Sequence, residues 1–218
     1  MSLKALFVYT DERGRPVLRK VRGSNDTDKR KDFKTQAALI RNNRLRWMGA
    51  PRAVHRYQPD WADRVIYNLP VVLDALRLSE PVWFTEGERE ADLLMTVARV
   101  AATTTPGGIN RMTPEQADWF VRYRSTSPVN ILMDSDDAGA FGGWARYMAL
   151  RDAGVGASRL RLWQPVEGYK DATEAVMEVG LRTALVRASR RRIRDAAIRY
   201  GTERASRYTR AGSVGSAS

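Results

Sequence analysis

The chain has 218 residues, with 37 Lys and Arg against 25 Asp and Glu, and therefore a net charge of +12. It has no cysteine and a single histidine, His55, which excludes disulfides, cysteine-ligated zinc and a histidine-rich metal site. No stretch approaches the ~18–20 apolar residues of a membrane helix, and no secretory signal opens the chain, so we expect no membrane contact. So large a positive excess favours a polyanionic partner, nucleic acid first, over general solubility alone.

The first section, residues 1–78, is predicted to be a small basic α+β subdomain. Residues 5–22 have the pattern of a β-hairpin, with Gly14 and Pro16 in its turn. Residues 23–64 are polar and weakly periodic, which predicts irregular structure with short strands. We expect three aromatic residues to hold it to a core: Trp47, Tyr57 and Trp61. A short helix over 71–76 closes the section.

From residue 79 to 180, strand-like runs alternate with helical patterns. The strands are predicted at 82–85, 100–104, 129–133 and 159–163, and the helices at 88–99, 113–124 and 140–152. Such alternation is typical of a parallel, right-handed α/β sheet. Residues 181–210 form a long basic helix in this prediction, and the Gly/Ser-rich residues 211–218 a disordered tail.

Carboxylates follow two of these strands. Glu86 comes after the first strand, and Asp134 and Asp136 come after the third. The carboxyl ends of parallel strands meet at one edge, where α/β proteins bind ligands. Asp134 and Asp136 alternate, so on an extended strand end they would share one face. Glu90, one helical turn after Glu86, can direct its carboxylate back to the same place. Clustered carboxylates are ligands for Mg²⁺ or Mn²⁺.

Each half of this pattern also has a purely structural interpretation. Acidic residues favour helix N-termini because of the helix dipole, and aspartates cap helices. Two such segments after separate strands of one alternating unit are more specific than either alone. Gly87 and Gly139 are expected to permit tight strand-to-helix turns and to leave room for a phosphate near the backbone.

Four short segments together resemble the TOPRIM domain of DnaG-type DNA primases, in the form found in phages and mobile elements. They are EGEREA at 86–91, TTTPGG at 103–108, DSDDAG at 134–139 and GYKD at 168–171. Upstream, the hairpin at 9–14, the KDFK patch at 31–34 and the VIYNLP segment at 65–70 resemble the same proteins. The resemblance covers roughly residues 5 to 180.

This resemblance implies a fold: a parallel four-stranded sheet in the order 2-1-3-4, flanked by helices. A smaller basic N-terminal subdomain and a C-terminal basic helix accompany it. It also implies catalytic residues, namely Glu86, Asp134 and Asp136, and a Mg²⁺ or Mn²⁺ site, without zinc, that adds Glu90 and Asp171. Glu90 stands where primases usually carry an aspartate. The third motif has Thr173 where a second acid is expected, with Glu174 one position further on.

The implied function is synthesis of short RNA primers from nucleoside triphosphates on a single-stranded DNA template. The setting would be phage or mobile-element replication in the bacterial cytoplasm. The missing cysteines and the short stretch after residue 180 suggest a stand-alone catalytic core or one half of a split primase. A replicative helicase or a separate zinc-domain subunit is then a candidate partner. The alternatives are a TOPRIM nuclease and a non-catalytic TOPRIM protein that binds nucleic acid or a partner.

Basic residues at three places are candidates for contacts with the template, the primer or the nucleotide. The expected set is Arg19, Lys20, Arg22, Lys31, Lys34, Lys170, Arg191 and Arg192. A solvated basic loop and the exposed face of a packed helix are the alternatives. Four tryptophans at apolar positions are expected in the core rather than as base-stacking platforms: Trp83, Trp119, Trp144 and Trp163.

Overall fold

A computed structural model describes residues 2–25, 28–42, 44–49, 63–108, 112–123, 125–169 and 171–214. The predictions for His55, Tyr57, Trp61 and Lys170 fall outside these residues. In the described part of the chain, no helix is long and apolar enough to cross a membrane.

The chain begins with an antiparallel sheet of four strands in sequence order. They are β1 (Ser2–Thr10), β2 (Pro16–Asn25), β3 (Asp28–Arg41) and β4 (Arg44–Gly49). The predicted hairpin is confirmed as β1 and β2. The prediction of irregular structure from residue 23 was wrong as far as residue 49, because β3 alone is 14 residues long. Charged and apolar side chains share both faces of this sheet, which hides the alternation that marks a strand.

A second sheet holds the parallel strands in the order expected. They are β5 (Val82–Phe84), β6 (Ala101–Thr103), β7 (Val129–Leu132) and β8 (Leu160–Pro165), arranged as β6-β5-β7-β8. Strands β5 and β7 are buried along their whole length, which explains their mainly apolar sequences; the one polar residue, Asn130, accepts a hydrogen bond from the Trp163 ring. A fifth strand, β9 (Leu185–Arg187), pairs antiparallel with β8 and was not predicted.

Seven helices are described. They are α1 (Leu69–Arg77), α2 (Glu88–Val97), α3 (Pro114–Arg122), α4 (Asp137–Asp152), α5 (Ala172–Val179), α6 (Leu181–Ala184) and α7 (Arg190–Val214). The predicted cap of α3 is confirmed: the Thr113 hydroxyl accepts a hydrogen bond from Gln116 N, and the Gln116 side-chain oxygen accepts one from Thr113 N, forming a capping box.

The predicted continuous helix over 181–210 was wrong in its first part. Only α6 and α7 are helical, and β9 lies between them. Its residues complete the exposed edge of β8, where Leu185 pairs with Pro165 and is buried. Pairing at an open sheet edge therefore outweighs the helical pattern of this segment. Helix α7 runs on to Val214, past the expected boundary at residue 210, and residues 215–218 lie outside the described part.

The parallel sheet has an apolar core on each face. Phe84 and Ile131 point to one side, where α1, α3 and α4 pack, and Trp83 points to the other. On that second side lie α2, α5 and the antiparallel sheet, which contributes Tyr9 and Leu18. The antiparallel sheet thus stands beside the helices that begin at the acidic edge. The predicted burial holds for Trp83 and Trp119, while Trp144 and Trp163 are half-buried.

Candidate active site

Two loops at the carboxyl edge of the parallel sheet are joined by a direct hydrogen bond. Glu86 follows β5, and its Oε1 accepts a hydrogen bond of 3.2 Å from the backbone N–H of Asp134, which follows β7. The backbone N–H of Glu86 in turn donates to Glu90 Oε2 at 2.9 Å. The prediction that Glu90 points back to Glu86 is therefore confirmed.

A cleft of about 720 Å³ opens beside these loops. Four of the five acids predicted as metal ligands line it: Glu86, Glu90, Asp134 and Asp171. The fifth, Asp136, is exposed and caps α4, where its Oδ1 accepts a 2.7 Å hydrogen bond from Gly139 N. Asp134 and Asp136 do not both stand on the strand, because β7 ends at Leu132 and the helix cap follows at once. The charge of Asp136 nevertheless raises the pKa of both Glu86 and Asp134, and its assignment as a metal ligand stays a prediction.

The third motif supplies one carboxylate and one hydroxyl to the cleft. Asp171 caps α5 by accepting a 2.9 Å hydrogen bond from Glu174 N at its Oδ1. Thr173, at the position where a second acid is expected, also lines the cleft, whereas the exposed Glu174 does not. The departure noted in the sequence is therefore present at the site itself.

Burial and mutual repulsion set the protonation of this cluster. Burial raises the pKa of Glu90 to about 8, and the charges of Asp134, Glu86 and Asp171 add to the rise. Burial likewise raises the pKa of Asp134 to about 7, with Glu86, Asp171 and Asp136 contributing. The pKa of Glu86 is raised by burial and held back by the hydrogen bond from Asp134 N. Negative charge is thus crowded into one poorly hydrated place.

Within the described part of the chain, no three Asp, Glu or His side chains converge closely enough to hold a metal ion as they stand. Asp136 and Asp171 each use one oxygen in a helix cap, and Glu90 uses one for Glu86 N. Each carboxylate has a second oxygen, and clustered carboxylates that repel one another suit a hard divalent cation. The donor set fits Mg²⁺ or Mn²⁺ in its chemistry.

A buried arginine behind the acids was missed by the sequence analysis. Arg146, on α4, is 0 % exposed. Its Nη1 donates to the carbonyl of Thr85 at 2.8 Å, and its Nη2 donates to the carbonyl of Gly108 at 2.9 Å. The guanidinium also lies 4.2 Å from the centre of the Phe84 ring. It therefore anchors the backbone immediately before Glu86.

Arg146 also interacts electrostatically with the acidic residues of the cleft. Burial lowers its pKa to about 9, while the charges of Glu86, Glu90 and Tyr9 raise it. The signal in the sequence was an arginine on the buried stripe of α4, seven residues after Gly139 and four before the buried Leu150. An arginine at a core position of a helix is a candidate for a role at a site.

The threonine-rich turn after β6 supports Glu86 from another side. Thr104 donates from its hydroxyl to the Glu86 carbonyl at 3.2 Å, and Thr105 donates to the Gly108 carbonyl at 2.6 Å. Since Arg146 also binds Gly108, the turn and the Glu86 loop share one anchor. The motif at 103–108 is thus part of the site.

The two glycines expected to serve the turns differ in what the structure requires. A Cβ at Gly139 would lie 2.6 Å from the carbonyl oxygen of Asp134 and 2.9 Å from its nitrogen, so only glycine fits there. Gly87 has extended dihedrals, φ −146° and ψ 169°, and an added Cβ would meet nothing within 4 Å. The backbone at Gly87 is therefore one that any residue could adopt, and the expectation that this position leaves room for a phosphate stays a prediction.

The predicted basic residues of the antiparallel sheet divide between its two faces. Lys20 and Arg22 belong to the inner face. Lys20 Nζ lies 2.6 Å from Glu88 Oε1, which also accepts a 2.5 Å hydrogen bond from the Tyr9 hydroxyl, and the Lys20 side chain is only 13 % exposed. Arg22 lines the acidic cleft. Among the predicted basic residues that the structure describes, Arg22 is therefore the one that lines the cleft together with the carboxylates.

The other basic residues lie further from the cleft. On the outer face, Arg19 Nε donates a 2.6 Å hydrogen bond to Gln36 Oε1. The Arg19 guanidinium also lies 4.5 Å from the centre of the Trp47 ring. Lys34 is exposed on the same face. Arg191 and Arg192 are exposed on α7. The side chain of Lys31 lies outside the described part, as does Lys170.

No family model matches the sequence, and no curated protein matches it. Solved structures do match in fold. A DNA primase domain from Pseudomonas aeruginosa has a TM-score of 0.58 at 18 % identity, covering 84 % of this chain and 51 % of that one. The DnaG primase catalytic domain bound to single-stranded DNA has a TM-score of 0.56 at 19 % identity, with coverages of 81 % and 49 %.

A third neighbour is the Aquifex aeolicus primase, in a structure of its zinc-binding and RNA polymerase domains. Its TM-score is 0.55 at 18 % identity, covering 80 % of this chain and 37 % of that one. This chain therefore spans about half or less of the length of these neighbours. The fold is similar to that of DnaG-type primase catalytic domains, which confirms that part of the resemblance. Its phage or mobile-element form stays a prediction.

Proposed function

We propose that this chain is a primase-type nucleotidyltransferase, which joins nucleoside triphosphates into short RNA primers on single-stranded DNA during phage or mobile-element replication. The observation that carries the proposal is the cleft at the carboxyl edge of the parallel sheet. There Glu86, Glu90, Asp134 and Asp171 lie together in a fold similar to primase catalytic domains. Carboxylates at a strand edge suit chemistry on phosphate esters, through a divalent cation.

In this proposal, Glu86, Asp134 and Asp171 would hold Mg²⁺ or Mn²⁺ through their carboxylates. When bound, such an ion neutralises phosphate charge and activates the attacking primer 3′-hydroxyl. Glu90 fixes the Glu86 backbone through its 2.9 Å hydrogen bond. Asp136 contributes by capping α4, which follows the Asp134 loop directly. Its second oxygen stays a candidate metal ligand, because its charge acts on both Glu86 and Asp134.

Arg22 and Arg89 are the basic residues that line the same cleft, so they are placed to meet the phosphates of a nucleotide or template. The guanidinium group of arginine can donate two parallel hydrogen bonds to the oxygens of one phosphate, and it remains charged at neutral pH. The DnaG catalytic domain among the structural neighbours was solved bound to single-stranded DNA, which supports a single-stranded template as the partner here. Lys34, Arg191 and Arg192 would act at a greater distance, through charge.

The test is primer synthesis by the purified protein. Single-stranded DNA, Mg²⁺ or Mn²⁺ and labelled nucleoside triphosphates should yield short oligonucleotides. Asp134→Asn should abolish the product, while Glu115→Gln, on the exposed first turn of α3, should not. Each reaction is repeated with a replicative helicase or a separate zinc-domain subunit as a candidate partner.

Other outcomes point to the alternatives. Metal-dependent nicking of plasmid DNA without triphosphates, in place of primer synthesis, would indicate a nuclease. Full biological function of Asp134→Asn would indicate a protein that binds nucleic acid or a partner without catalysis.

A further inference from the structure

We propose that Lys20 is a positioning residue, which acts through Glu88 to hold the first turn of α2 in place and does not itself contact phosphate. Tyr9 shares this task. The role rests on the proposed function, because the turn that Lys20 holds carries Glu86 and Glu90. It replaces the contact with nucleic acid that the sequence suggested for Lys20.

The carboxylate of Glu88 is bonded to two residues of the antiparallel sheet. Its Oε1 lies 2.6 Å from Lys20 Nζ and accepts a 2.5 Å hydrogen bond from the Tyr9 hydroxyl. The side chains of Lys20 and Glu88 are 13 % and 6 % exposed, and Tyr9 is 0 % exposed. Removing one member of a buried ion pair leaves the other charge without compensation, which is far more costly than breaking an exposed pair. The contact therefore constrains α2 firmly.

Glu88 lies between two acids of the cleft along the chain. It is the first residue of α2, with Glu86 two residues before it and Glu90 two residues after it. The backbone N–H of Glu86 donates to Glu90 Oε2 at 2.9 Å, so all three belong to one hydrogen-bonded turn. Glu86 Oε1 in turn accepts a hydrogen bond from Asp134 N. A shift of Glu88 therefore moves the carboxylates of the cleft with it.

Strand β2 links the same ion pair to a basic residue of the cleft. Lys20 and Arg22 are both on the inner face of the antiparallel sheet, two residues and about 7 Å apart along the strand. Arg22 lines the cleft together with Glu86 and Glu90. The ion pair thus fixes β2 and α2 relative to each other beside the cleft.

Tyr67 supports this arrangement one turn further along α2. Its hydroxyl donates to Asp92 Oδ1 at 2.9 Å, and the centre of its ring lies 5.2 Å from that of Tyr9. The backbone N–H of Tyr67 donates to the Thr104 carbonyl at 2.9 Å, and the Thr104 hydroxyl donates to the Glu86 carbonyl at 3.2 Å. Contacts from Tyr9 and from the threonine-rich turn therefore converge on the loop of Glu86.

The test is hydrogen exchange of single backbone amides under native conditions, followed by NMR. The reporters are the N–H groups of Glu86 and Asp134, whose hydrogen bonds to Glu90 and Glu86 join the acidic loops. The reference is the N–H group of Val129, which donates to the Arg159 carbonyl at 2.8 Å at the far end of β7. Rates are expressed relative to this reference, so a loss of global stability alone does not raise them.

Lys20→Met should raise the relative exchange rates of both reporters at least about tenfold, because Glu88 loses a charged hydrogen-bond partner. Glu88→Gln, which keeps an acceptor for Tyr9, should have an effect of similar size. Because Lys20 acts through Glu88, the double variant should exchange no more than about threefold faster than either single variant, without multiplied effects. Tyr9→Phe, a milder variant that removes only the second donor to Glu88, should also accelerate the reporters.

Arg15→Met is the matched control. Arg15 Nε lies 2.6 Å from Asp11 Oδ2 in the hairpin turn of the same sheet, and the Asp11 carboxylate is as well shielded as that of Glu88. This substitution removes an ion pair of equal length within the hairpin. The relative exchange rates of the two reporters should therefore stay at their wild-type values.

Unchanged relative rates in Lys20→Met would overturn the positioning role, and so would multiplied effects in the double variant. Unchanged rates combined with weaker binding of single-stranded DNA, and a salt dependence reduced by about one charge, would assign Lys20 to a phosphate contact instead. The proposed function fails separately: no primer synthesis by the wild type, together with the expected exchange rates, would remove the function and leave the positioning of the loop. Primer synthesis by the wild type with unchanged rates in Lys20→Met would remove the positioning role alone.

Discussion

Replacing Gly139 by alanine should damage the candidate active site through the backbone. The added Cβ would stand 2.6 Å from the Asp134 carbonyl oxygen, 2.9 Å from its nitrogen and 3.0 Å from its carbonyl carbon. All three atoms are main chain, so no side chain can turn away to make room. Either the Asp134 loop or the first turn of α4 must move. Both movements disturb the hydrogen bond from Asp134 N to Glu86.

The magnitude follows from three contributions. Forcing an extra carbon into a packed position costs about 1–3 kcal/mol. Disturbing the Asp136 cap, which binds Gly139 N at 2.7 Å, costs about 1 kcal/mol more. Alanine gains up to about 1 kcal/mol over glycine within a helix, although position 139 is only in the first turn. The net expectation is a loss of about 1–3 kcal/mol in the free energy of unfolding.

The assay is urea unfolding of Gly139→Ala beside Gly87→Ala. Gly87 lines the same cleft, has extended dihedrals and has no atom within 4 Å of an added Cβ. Alanine there should change stability by less than about 1 kcal/mol, since only a weak N-cap preference is lost. Binding of Mg²⁺ should weaken in Gly139→Ala and persist in Gly87→Ala. Equal effects of the two substitutions would refute the steric reasoning.

Three further predictions concern the supports of the site and its ion. Arg146→Met should destabilise the fold by about 1–3 kcal/mol in urea unfolding, because it leaves the buried Thr85 carbonyl without its donor, while the Gly108 carbonyl keeps the hydrogen bond from Thr105. Arg146→Lys should restore only part of this stability, and full recovery would show that charge rather than the forked geometry matters. Tyr9→Phe should cost about 1–3 kcal/mol by removing one donor to Glu88, whereas a stability equal to wild type would contradict the importance of that contact between the antiparallel sheet and α2. Mg²⁺ at 100 times its dissociation constant should stabilise the wild type by about 2.7 kcal/mol and Asp134→Asn by much less, measured by thermal unfolding; equal stabilisation would place the ion elsewhere.

The sequence predicted those strands whose side chains are nearly all apolar. Strands β5 and β7 are buried on both sides, so their residues are apolar apart from Asn130, and a carboxylate follows each strand. That pattern placed Glu86 and Asp134 at one edge correctly. Strand β3 escaped prediction because both faces of its sheet mix apolar and charged side chains. Strand β9 escaped because an exposed sheet edge, which no local pattern reveals, competes with helix formation at Leu185.

Within the site, the sequence could not predict which side chains meet in space. Spacing could not show that Asp136 also caps α4 with one oxygen, while its charge still acts on Glu86 and Asp134. Spacing also gave Lys20 and Arg22 the same role. In the structure, Lys20 forms an ion pair with Glu88, which also accepts a hydrogen bond from the Tyr9 hydroxyl. Arg22, by contrast, lines the cleft. Such differences depend on which side chains meet across the fold, and that is set by tertiary packing.

The most direct measurement is synthesis of labelled oligonucleotides from nucleoside triphosphates on single-stranded DNA, by the wild type and by Glu86→Gln at matched protein and Mn²⁺ concentrations. Glutamine is nearly isosteric and can still accept the hydrogen bond from Asp134 N, so the fold should persist while the charge is lost. A primase-type site predicts short products from the wild type and none from Glu86→Gln. Equal product from both proteins, or no product from the wild type with any metal or candidate partner, would contradict the account.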